Sequence, residues 1–121
     1  MINDNYIEGL AKLMTGEAYV IPSYMAFGST TGTLTAVDLV TSGEFDRNAL
    51  DSVERIGSTA KFIGSRSSVE ANNEVINVVG LHNVVTLASS GNLQANFLVA
   101  SLVHTSDFDV EVEFWVQHNR A

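Results

Sequence analysis

From Phe108 to Gln117 the chain alternates with a period of two. Phe108, Val110, Val112, Phe114 and Val116 fall on one side, and Asp109, Glu111, Glu113, Trp115 and Gln117 on the other. That period sends successive side chains to opposite faces of an extended backbone. It predicts a strand with one buried wall and one solvated face, as found in an antiparallel sandwich or barrel. Trp115 interrupts the wet face. A large aromatic among acids is either a contact point for a partner or a residue covered by a neighbouring loop of its own chain.

Near the amino terminus the spacing changes to three and four, through Tyr6, Ile7, Leu10, Ala11, Leu13 and Met14. This predicts a helix over 5–14, capped by Asn3 or Asp4 and stopped by Gly16. About three turns do not persist alone in water, so Ile7, Leu10 and Met14 need a hydrophobic partner. The helix is either a lid on the β core or an arm for a neighbouring subunit, and the arm reading gives residues 1–16 as the arm and 17–121 as the β core.

Between these ends, Ala18–Ile21 and Tyr24–Phe27 read as short strands around the single proline, Pro22, and lead into a polar turn from Gly28 to Gly32. Thr35 and Asp38 have capping-box spacing, which predicts one helical turn across Ala36 to Val40. Glu44–Leu50, Thr59–Ile63, Val75–Leu81 and Leu93–Val103 are apolar-rich and separated by Gly, Ser or Asn. The fold class expected is mainly β, an antiparallel β-sandwich or jelly-roll-like barrel with a short N-terminal α-helix.

A chain of 121 residues holds one core. Its 45% hydrophobic content and mean hydropathy of +0.15 are high for a small soluble monomer. That excess predicts apolar surface facing a partner, and hence a homo-oligomer. Six basic against 14 acidic residues give a formal charge of −8, which disfavours direct nucleic-acid binding. The absence of cysteine removes disulfides and thiol chemistry. Residues 1–17 have neither the charge order of a secretory signal nor a long apolar run, so the expectation is a soluble chain made in the cytoplasm, without a membrane partner.

Few residues suggest chemistry. Asp107, Asp109, Glu111 and Glu113 share one face of a strand, but a calcium site draws its ligands from a curved loop, and a charged face that guards a sheet edge explains them better. His82, His104 and His118 are too dispersed for a metal motif and read as separate loop or surface histidines. Gly28 and Gly32 lack the Gly-Lys-Ser/Thr ending of a phosphate loop, and no nucleophile elbow is present. No catalytic residue, metal or cofactor is expected, and the chain reads as a non-enzyme. Arg47, Arg55 and Arg66 lie near Glu44, Asp46, Asp51, Glu54 and Glu70, which predicts ion pairs within or between subunits.

Several short motifs follow one another in a definite order. Ile21-Pro22, Met25 to Thr31, Asp38-Leu39 and Glu44 to Arg47 come first, then Val78 to Asn83, Ser90 to Leu93, and the Phe108 to Val116 strand with Trp115. This order resembles that of a family of small tailed-phage virion proteins. The likeness covers most of Pro22 to Gln117 and leaves out the N-terminal helix. Ser90-Gly91 replaces the family's glycine pair, and the last strand is more acidic than its counterpart.

The resemblance implies an architectural virion protein, made in the host cytoplasm, that assembles with copies of itself and docks on other virion proteins of the tail, portal-proximal region or capsid. A tail, baseplate or fibre adaptor and a capsid decoration protein both fit, and Ile7, Leu10, Met14 and Trp115 are the candidate interface residues. From another class, a carbohydrate-binding β-sandwich for host-surface recognition would use Trp115 with Glu113 and Gln117.

Overall fold

The computed structural model describes residues 1–36, 38, 40–84 and 93–118. A helix, α1 (Asp4–Met14), precedes seven strands: β1 (Tyr24–Gly28), β2 (Glu44–Ala49), β3 (Ser52–Ile56), β4 (Thr59–Arg66), β5 (Glu74–His82), β6 (Leu93–His104) and β7 (Val110–Gln117). They form a four-stranded sheet ordered β2-β1-β5-β6 and a three-stranded sheet ordered β3-β4-β7, every pairing antiparallel. The two sheets pack as a sandwich and do not close into a barrel.

The chain changes sheets between β2 and β3, where the Leu50 amide donates to Ser23 O in one sheet and the Asp51 amide to Ile63 O in the other. Met25, Phe27, Phe62, Ile76, Val79, Leu81 and Phe114 fill the space between. Gly64 on β4 faces Met25 on β1 so closely that a Cβ there would lie 2.7 Å from the Met25 sulfur. Glycine here lets the two sheets approach without a clash at Met25.

Of the expected wall on the last strand, Val110, Phe114 and Val116 are buried and Val112 is half-buried. Phe108 lies outside it, before the strand begins and 36% exposed. The reason is local: His104 Nε2 hydrogen-bonds Phe108 O at 2.8 Å, and the two rings sit 5.3 Å apart, so the connection from β6 is folded back here.

Ala18–Ile21 forms no strand. The Tyr19 ring instead crosses α1 at Gly9, where a Cβ would stand 2.1 Å from it, and the Tyr19 hydroxyl donates to Gln94 on β6. β3 carried no sequence signal, because it is an edge strand whose residues 53–56 are all exposed. Thr35 and Asp38 do pair, the Thr35 amide and hydroxyl donating to the carboxylate at 2.9 and 2.7 Å. The helical turn expected across Ala36 to Val40 includes Val37 and Leu39, which lie outside the described residues, as does the motif at Ser90, Gly91 and Asn92.

The helix is seated on its own sandwich. Asn3 caps it by accepting from the Asn5 amide at 3.0 Å, and Gly16, at φ +78°, follows its end. Ahead of it, Met1–Asn3 run antiparallel to the start of β6: the Asn3 amide donates to Gln94 O and the Asn96 amide to Met1 O, both at 2.9 Å. Tyr6 enters the core, and its hydroxyl lies 2.6 Å from His118 Nε2. Burial raises the Tyr6 pKa, and burial followed by the nearness of Tyr6 pushes that of Tyr19 up to about 12.

Candidate functional site

A sandwich of four strands over three leaves one strand overhanging. Phe97 on β6 meets Phe114 on β7 edge to face, with centroids 4.8 Å apart, and beyond that contact β6 is left exposed by the described residues. A cleft of about 290 Å³ opens there, lined by Val79, Phe97, Val99, Val112, Phe114 and Trp115, with Glu113 also on its wall. Burial along β6 divides sharply. Leu93 to Asn96, beneath the N-terminal residues, are buried, whereas Phe97 to Val103 are exposed on both faces. Among the described residues no strand pairs with the outer edge of β6 past Asn96.

The four predicted interface residues do not gather at this cleft. Trp115 does, on the solvent face of β7 and 53% exposed, so no loop of the described chain buries it. Its Nε1 donates to Glu113 at 3.0 Å, and Lys61 Nζ sits 5.3 Å from the ring centroid while pairing with Glu113 at 3.5 Å. The indole is thus held in place by a cross-strand cation and a carboxylate. On α1, Leu10 packs against the core, but Ile7 and Met14 are 58% and 87% exposed. Tyr6, Gly9 and Leu10 took the inward stripe, leaving Ile7, Ala11 and Met14 outward.

At least two of the four strand-face carboxylates are engaged within the fold. Asp109 accepts from the Ser68 amide at 2.7 Å, and Glu113 is engaged as described. Among the described residues no group of three or more His, Cys, Asp or Glu could hold a metal ion. Two histidines depart from the surface expectation: His82 and His104 are fully buried on β5 and β6. His82 Nε2 lies 2.7 Å from Thr41 Oγ1 and 3.8 Å from Glu44.

Arg66 binds His104 Nδ1 at 3.0 Å, Asp46 at 2.8 Å, Glu74 at 3.2 Å and Glu70 O at 2.7 Å, while Arg47 chelates Glu44 with two bonds of 2.7 Å. The expected arginine ion pairs therefore include ones within the chain. Burying a guanidinium requires such saturation of its donors.

Sequence reasoning did not single out the exposed half of β6. The signal was present: from Leu93 to Val103 there is no charged residue, in a chain that places charge on β2, β3 and β7. Comparison with protein-family models, with curated proteins and with solved structures finds no match to this chain.

Proposed function

We propose that the chain is a structural protein of a tailed-phage virion that acts by self-assembly and by docking on other virion proteins, as a tail, baseplate or fibre adaptor or as a capsid decoration protein. The observation that carries the assembly part is the uncovered half of β6 with its cleft and Trp115, because monomeric proteins seldom leave a long apolar sheet edge open. The virion part rests on the motif order from Pro22 to Gln117. The exposed Ile7 and Met14 offer a second, smaller contact on another element.

The alternative is a carbohydrate-binding module stacking a sugar on Trp115. The position of Lys61 over that ring favours the assembly reading, since stacking on that face requires the lysine to leave. The test is to purify particles from a host carrying the gene, identify their proteins by mass spectrometry, and locate this chain by immunogold labelling. The expected result is the chain at a fixed position on head or tail. Its absence from particles while expressed in the same cells overturns the proposal.

A further inference from the structure

Among the described residues the sandwich has four edge strands, and three carry charge. β2 has Asp46, β3 has Glu54 and Arg55, and β7 has Glu111 and Glu113. Charges along an edge are the usual protection against pairing with another chain. The fourth edge, β6, has none from Leu93 to Val103 and no proline. Its first part is covered by the chain's own Met1–Asn3, paired at Gln94 to Asn96. The remainder, Phe97 to Val103, presents outward backbone groups without a partner strand among the described residues.

We infer that this uncharged edge pairs with the same edge of a second copy, antiparallel about a two-fold axis, so that the two four-stranded sheets become one continuous sheet. The inference names the partner for the surface on which the proposed assembly role rests. A row of backbone N–H and C=O groups is satisfied by another extended strand. Charge decides which strand. The molecule carries −8, so a second copy is repelled wherever acidic faces meet, and β6 is the edge along which two copies approach without opposing carboxylates. Antiparallel pairing also brings Phe97 of each copy toward the Leu102 and Val103 end of the other, apolar against apolar.

Apolar side chains flank this edge on both faces, Phe97, Leu98, Val99, Leu102 and Val103 being 36–55% exposed, so pairing sets them beside their counterparts in the second copy.

The test uses the full chain in analytical ultracentrifugation. Wild type is expected at twice its 13.0 kDa, and Leu98→Glu with Val103→Glu at the monomer mass with unchanged far-ultraviolet dichroism. Val53→Glu, on the β3 edge, should remain dimeric. Since the chain has no cysteine, Ala100→Cys supplies a unique thiol at the middle of the proposed pairing and should form an intermolecular disulfide on mild oxidation, which Val53→Cys should not. This second readout holds even if the double variant misfolds.

A wild-type monomer at 100-micromolar order concentration overturns the inference, as does a dimer that the β6 variants and the Ala100→Cys thiol leave untouched. A monomer still present in particles sinks the pairing alone. A β6 dimer absent from particles sinks the virion role alone.

Discussion

Phe97 and Phe114 meet edge to face across the two sheets, one ring 45% exposed and the other 2%. The core of the sandwich ends between them. Phe114 is part of the wall, and Phe97 belongs to the overhanging strand.

Truncating the two rings should therefore have different consequences. Phe114→Ala removes a buried aromatic and is expected to cost about 3–5 kcal/mol in urea unfolding. Phe97→Ala should cost about 1 kcal/mol and instead weaken self-association. Phe108→Ala, outside the wall, should resemble the milder change. Equal losses at positions 97 and 114 would mean that the β6 overhang is covered in the free chain.

Arg66 ties four segments together through Asp46, Glu70 O, Glu74 and His104. Replacing it by Ala strands two carboxylates and leaves the buried His104 Nδ1 without its donor, at an expected cost of about 3–5 kcal/mol. Arg66→Lys should recover only part, because an ammonium cannot serve the same fork of acceptors. Thermal melting of both variants checks this, and a neutral Arg66→Ala would show that the network adds nothing to stability.

Where the pattern was periodic, the fold was legible. The alternation of Val110 to Gln117, the β5 and β6 segments and the Asn3-capped helix all follow from local sequence. Phe108 was lost to the wall because a bond from His104, four residues earlier and invisible to an alternating pattern, folds the chain back. β3 was missed because an exposed edge strand needs no apolar face. Ala18–Ile21 read as a strand on apolar content alone, yet Tyr19 is claimed by Gly9 and Gln94. The candidate surface was half legible. Trp115 stood out among acids, but which edge lacks cover depends on four strands facing three.

The helix should be required for full stability. Tyr6 fills the core and Met1–Asn3 cover the start of β6, so deleting residues 1–15 uncovers both. We expect the truncated chain to unfold at lower urea, with Tyr6→Ala alone costing about 3 kcal/mol and Tyr6→Phe about 1 kcal/mol for the bond to His118. Ile7→Ser and Met14→Ser, on the outward stripe, should change stability little. A truncated chain as stable as the whole would return the helix to the status of an arm.

Asp38 supplies a pH-dependent tie. The Thr35 amide, then the Thr35 hydroxyl, hold its carboxyl below the ordinary value, partly opposed by burial, with a smaller contribution from Asn96. Nearby, Asn3 Nδ2 donates to Asp38 O at 2.6 Å and the Asp4 amide to Ala36 O at 2.8 Å, so this loop joins the start of α1 to β6. A carboxylate with a lowered folded pKa stabilises the fold above its unfolded pKa, near ~4, and loses that effect as the pH falls through the folded value. The difference in unfolding midpoint between wild type and Asp38→Asn should thus be full at neutral pH and shrink toward zero in acid. The other carboxylates titrate in both chains and cancel in the comparison. A difference that stays constant to below about pH 3 would show that the carboxylate charge is not what anchors the loop.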